Sequence, residues 1–97
     1  MIGRISTWEG SPEDLDGWKT GVLNRVKPMV EKLEGNVGAL FLLDKEQGRA
    51  YTITLWRDEE AARKSDAAAG GSQARTKADS GATMRDWSPR CEVVAKI

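Results

Sequence analysis

The sequence has no histidine and a single cysteine, Cys91. Without imidazole there is no Ser-His or Cys-His nucleophilic pair, no histidine-held haem and none of the zinc sites that depend on His. One cysteine makes neither an internal disulfide nor a Cys-x-x-Cys motif, which fits a reducing compartment. Charge of one sign is also missing. The 15 Lys and Arg balance 15 Asp and Glu, so no broad field draws in nucleic acid or an anionic membrane. Hydrophobic runs are short: the longest, Ala39–Leu43, is far below a bilayer span, and residues 1–10 hold no apolar targeting segment. A cytoplasmic protein is the expectation. The absence of a Gly-x-Gly-x-x-Gly loop and of any ligand cluster adds the expectation of no haem, flavin or metal cofactor.

What is present fits one domain spanning residues 1–97. A chain of this size buries only about two-thirds of its unfolded surface, so a partner subunit would add useful burial. Ile2–Glu9 alternates loosely and reads as a strand. Ser11-Pro12-Glu13-Asp14 is a helix start, with a cap, a proline at the first position and two carboxylates at the positive end of the dipole. Leu15, Trp18, Val22, Val26, Met29 and Leu33 then follow at helical spacing, forming one core-facing stripe. Pro28 interrupts the backbone bonding, and a kink near Asn24–Pro28 is expected because the stripe continues beyond it. Gly35-Asn36 supplies the stop.

Val37–Asp44 and Arg49–Arg57 are two strand-like runs joined by the short Lys45–Gly48 connection, hence an antiparallel hairpin. Asp58 is placed to cap a second helix starting at Glu59, and capping accounts for the Asp58-Glu59-Glu60 run better than metal binding does. Gly70-Gly71 is expected to break that helix, with Ser72–Ser80 resuming it. Its composition is rich in Ala, so thin packing is expected. Trp87–Ile97 reads as the last strand, with Pro89 near its start.

Strand, helix, strand, strand, helix, strand is the α+β, ferredoxin-like βαββαβ sandwich: a four-stranded antiparallel sheet with helices on one face. Val37, Ala39, Phe41 and Leu43 alternate with Leu40 and Leu42, so both faces of the second strand call for cover. Two helices cover only one. A second copy packed through its sheet is the economical cover for the other, which makes a homodimer joined through the sheet faces the expected assembly.

Gly38–Asp44 followed by Gly48–Ala62 gives a hairpin ending in Trp56, then a capping residue, acidic residues and Ala opening the second helix. With the closing Cys91-Glu92-Val93-Val94, this resembles the antibiotic biosynthesis monooxygenase-like superfamily of dimeric α/β barrels. The resemblance implies a dimeric barrel, with Trp56 as the Trp that ends the third strand. It also implies two activities to weigh. The haem-degrading branch carries an Asn on the first strand, a further Trp past the strand-ending one and a His ligand. Here Ser6 and Thr7 stand at the first position, Ser65 stands at or near the second, and His is absent. The cofactor-independent branch oxidises phenolic or polyketide-like substrates with a looser set of polar and aromatic groups, and it is the alternative to a non-catalytic binding protein.

Trp8 shares a strand face with Arg4 and Ser6, and Trp56 shares one with Thr52 and Thr54. A wall of hydroxyls and indoles suits a small apolar or aromatic ligand, so these six form the candidate site. The plainer reading is that Thr and Trp are good strand formers. Trp18 belongs to the helix stripe and reads as core, while Trp87 fits loop packing or a dimer contact equally well. Arg4 and Tyr51 are each placed to act on an oxygen-bearing substrate, although a strand Arg more commonly pairs with a neighbouring carboxylate such as Glu92. Cys91 reads as an inert thiol. RNA-recognition domains share this order of elements, and Arg49-Ala50-Tyr51-Thr52-Ile53 approaches their stacking motif. Ile53 replaces the second aromatic, and the neutral charge completes the argument against nucleic acid.

Overall fold

The computed structural model describes all residues, Met1–Ile97. Four strands, β1 (Ile2–Glu9), β2 (Asn36–Asp44), β3 (Arg49–Trp56) and β4 (Thr83–Glu92), form one antiparallel sheet in the order β2-β3-β1-β4. Helical segments join β1 to β2 and β3 to β4, which gives the expected α+β ferredoxin-like fold. No helix is long and apolar enough to cross a membrane.

The first helical connection starts as its sequence dictates. Asp14 N–H donates to Ser11 Oγ at 3.1 Å and Ser11 N–H donates to Asp14 Oδ2 at 3.0 Å, a reciprocal capping box at the head of α1 (Pro12–Gly21). A π-helical turn, Val22–Val26, then leads into α2 (Lys27–Lys32) without a break in the helical path. This is how the chain accommodates Pro28. The Lys27 N–H reaches back five residues to the Val22 carbonyl, so the irregularity near Asn24–Pro28 takes the form of a wider turn. The wider turn also rotates the apolar stripe. Leu15, Trp18, Val22, Val26 and Val30 are buried, whereas the expected Met29 and Leu33 are only partly so.

The second connection differs from expectation at its break. Helix α3 (Glu59–Lys64) is capped by Asp58, whose Oδ1 accepts from Ala61 N–H at 2.8 Å, and α4 (Asp66–Ser80) follows after Ser65. The interruption is at Ser65 rather than at Gly70-Gly71, which lie inside α4. Ala62 explains it: its carbonyl accepts from Ser65 Oγ at 2.6 Å and from Arg4 Nη2 at 2.9 Å, so one local and one tertiary donor occupy the acceptor a continuing helix would use. Gly81, with φ +83°, ends α4 in the left-handed conformation.

Strand β4 begins four residues earlier than the sequence suggests and ends at Glu92 instead of Ile97. Ala82 is buried and Met84 packs on the core, so the chain joins the sheet as soon as it leaves Gly81. Glu92 pairs with Ile2, the first residue of β1, so the ladder has nothing further to pair with. Pro89 falls at the register shift between Gly3 and Ile5 of β1, on an edge strand, where its missing N–H is tolerated. In β2 the register shifts between Asn36 and Gly38, so Val37 is the extra residue and is exposed instead of sharing the face of Ala39, Phe41 and Leu43.

The core forms two groups. Trp8, Leu15, Trp18, Val22, Val26, Val30, Ala50 and Ala82 make the larger, and Trp56, Ala61 and Ala62 the smaller. The opposite face of the sheet carries Ile5, Leu40 and Leu42 exposed, beside half-buried Tyr51, Ile53 and Leu55.

Candidate functional site

Period-two alternation places Arg4, Ser6 and Trp8 of β1 on the face under the helices, and Thr52, Thr54 and Trp56 of β3 beside them. The register pairs Arg4 with Thr54 and Ser6 with Thr52, so the four polar groups occupy the middle of the two central strands. Trp8 stands opposite Ala50 at one end, and Trp56 opposite Ile2 at the other.

Each indole is fixed by its own strand. Trp8 Nε1–H donates to Ser6 Oγ and Trp56 Nε1–H to Thr54 Oγ1, both at 3.0 Å. The hydroxyl-x-Trp spacing produces this twice, because residues two apart share a strand face. It satisfies the only polar atom of each ring and leaves each hydroxyl its own proton to donate.

All six candidate residues line one cavity between sheet and helices. It is partly open to solvent and holds about 60 Å³ of space that water-sized molecules can enter. The space exists because α4 presents small side chains to it. Ser65, Ala69, Ser72 and Thr76 recur at spacings of four, three and four, and none of them fills the gap between the two core groups. Trp18, Val22 and Val26 form the facing wall, so Trp18 serves the core and the cavity together.

Arg4 is the one charged group in the lining, and its residue is only 5% exposed. The expected pairing with Glu92 does not occur. Arg4 lies on an interior strand pointing under the helices, where its Nη2 donates to Ala62 O and, at 2.8 Å, to Asp66 Oδ1. Its guanidinium also sits 5.5 Å from the Trp56 ring centroid, within cation–π range. Asp66 is shared: its other oxygen accepts from Arg90 Nη2 at 2.7 Å. The Arg90 hydrogen bond, helped by the positive charge of both arginines, holds the Asp66 carboxyl below the usual carboxylate range. Burial lowers the Arg4 pKa against the raising effect of Asp66, but a guanidinium stays charged at any ordinary pH.

Sequence reasoning missed a second arginine. Arg25, on the π-helical turn, donates to Ser72 Oγ at 3.1 Å and Thr76 Oγ1 at 2.7 Å, fastening α4 across the helical wall. Its partners belong to the Ser65, Ala69, Ser72, Thr76 stripe, a helical period visible in the sequence but obscured by the expected break at Gly70-Gly71. Tyr51 does not join the site. Its register partners Thr7 and Leu42 place it on the open face of the sheet, away from Arg4. Trp87 is 44% exposed on edge strand β4, and half-buried Cys91 lies on the same strand with its Sγ 3.8 Å from the Ser88 carbonyl oxygen.

No protein-family model and no curated protein matches the chain in sequence. Solved structures do match. A monooxygenase from the gene ActVA-Orf6 of Streptomyces coelicolor, in complex with the ligand nanaomycin D, superposes with a TM-score of 0.69 at 12% identity, covering 98% of this chain and 92% of that one. SnoaB, a cofactor-independent oxygenase from Streptomyces nogalater, superposes with a TM-score of 0.66 at 16% identity, covering 98% and 97%. At such identities the likeness is one of fold: the chain shares the α+β ferredoxin-like architecture of these two oxygenases over almost its whole length.

Proposed function

We propose that this protein holds a small aromatic or apolar molecule between its sheet and helices, and that it does so as a homodimer joined through the open sheet faces. The observation that carries the binding reading is the cavity itself. Three indoles and an aliphatic wall give it an apolar body, and a few fixed hydroxyls and one cation offer orientation. Apart from Gln73, α4 lines the space with small side chains only, and the water-accessible part, about 60 Å³, is several times what one water needs. The dimer reading is supported by the apolar open face, where Leu40 is 58% exposed beside Leu42 and Ile5.

A second reading, cofactor-independent oxygenation of a phenolic or polyketide-like substrate, is favoured by the fold shared with SnoaB and by a buried cation placed to stabilise a phenolate. The balanced reaction inserts one atom of dioxygen into the ring to give a quinone and reduces the other to water with the two hydrogens the phenol loses. The cavity walls contain no carboxylate, thiol, phenol or imidazole to accept the first proton, which weighs towards binding without turnover.

Tryptophan fluorescence titration against phenols, quinols and fatty acids tests both readings. Saturable quenching that weakens in Trp8→Phe and Trp56→Phe supports the cavity, and oxygen uptake with the same ligand would move the assignment to the oxygenase. Absence of quenching across the panel would leave a structural dimer.

A further inference from the structure

Arg4 is incompletely used. A guanidinium carries five N–H donors. The two bonds Arg4 makes both leave from Nη2, to Ala62 O and Asp66 Oδ1; Nε is buried without any partner, and no protein group accepts from Nη1. A buried donor left unpaired costs stability, and no structural bond in the protein recovers that cost.

The surrounding charge is unbalanced in the same sense. Asp66 is the only carboxylate bonded to Arg4, and it is divided between Arg4 and Arg90, so the cluster of three carries a net positive charge. Arg25 adds another cation behind Ser72 and Thr76 on the cavity wall. No acidic side chain lines the cavity to oppose them. In a site walled by indoles and aliphatic groups such a charge acts at low dielectric, where it discriminates strongly between neutral and anionic guests.

Resting on the cavity-binding reading above, we propose that the ligand is an acid: a flat, mostly apolar molecule whose carboxylate takes up the unpartnered Nη1 donors of Arg4. A phenol keeps its proton at neutral pH unless the site removes it, whereas a carboxylate arrives charged. The indoles and the aliphatic wall hold the ring system, and Arg4 fixes its acidic end beside the β1–β3 hydroxyls.

Calorimetric titration with 2-naphthoate and 2-naphthamide, which share one ring system and differ in charge, tests this on the full chain. The wild type is expected to bind the acid at least about tenfold more tightly, equivalent to about 1.4 kcal/mol. Arg4→Met is expected to abolish that preference while the amide still binds. Because removing Arg4 strands Asp66, a second variant guards against simple misfolding. Asp66→Asn keeps Arg4, removes the competing anion and should tighten the acid about threefold or more with the amide unchanged. Equal affinity for the two compounds in the wild type, or an unchanged ratio in Asp66→Asn, would overturn the acid proposal and leave the cavity reading standing. Binding of neither compound would defeat the cavity reading and this proposal with it.

Discussion

Replacing Gly70 and Gly71 together by Ala should stabilise the protein. Both residues lie inside α4, and a Cβ built at either position meets no atom within 4 Å beyond its immediate chain surroundings. No packing is lost, so the helix-propensity difference acts alone, about 1 kcal/mol per site in a helix interior. Part of that gain comes from the reduced freedom of the unfolded chain. For a domain of this length each kcal/mol raises the midpoint by roughly 4–8 °C, so the double variant should melt about 8–16 °C higher. Thermal unfolding followed by far-ultraviolet circular dichroism measures it. An unchanged or lower midpoint would refute the reasoning, because it would mean that the helix breaks at the glycine pair and that Ser65 is not its only interruption.

Gly81→Ala should act in the opposite direction, lowering stability by at least about 1–2 kcal/mol from the left-handed backbone alone, with the new Cβ also 2.7 Å from Asp14 Oδ1; urea unfolding reads it directly. The Asp66 carboxyl sits below its ordinary range because of Arg90 and Arg4, so its contribution is complete above the unfolded carboxylate pKa and is lost as pH falls through the lower folded one. Between about pH 5 and pH 2 the wild type should therefore lose more thermal stability than Asp66→Asn, and parallel pH profiles would contradict the ion-pair assignment. The proposed dimer should scatter light as twice 10.7 kDa, and Leu40→Glu on the open sheet face should convert it into a folded 10.7 kDa monomer. A dimer that survives the charge would place the interface elsewhere.

Much of the candidate site is legible because strands repeat every two residues. Arg4, Ser6 and Trp8 must share a face, as must Thr52, Thr54 and Trp56, and the hairpin pattern brings neighbouring strands into one sheet. The helical half is less legible for the same kind of reason, since it depends on where the period changes. The π-helical turn at Val22–Val26 moves Val30 into the core in place of Met29, and nothing in the local residues announces a five-residue bond except Pro28. The break at Ser65 comes from Arg4 and Ser65 competing for the Ala62 carbonyl, and the Arg4 part of that is a tertiary contact across 58 residues that local propensity does not encode. The same contact hides the partner of Arg4: Glu92 is suggested by strand neighbours, whereas Asp66 is supplied by a helix turn that exists only once α3 has ended. Gly70-Gly71 misleads because its cost is small enough for the surrounding helix to absorb.

The space under α4 is proposed to receive a molecule. Ala69→Phe, which puts a ring into that space from the cavity-lining stripe, tests it most directly in a fluorescence titration beside the wild type. With folding verified by circular dichroism, the expected result is loss of saturable quenching in the variant and its retention in the wild type. Equal binding by the two proteins would contradict the account, since the ligand would then occupy some other surface.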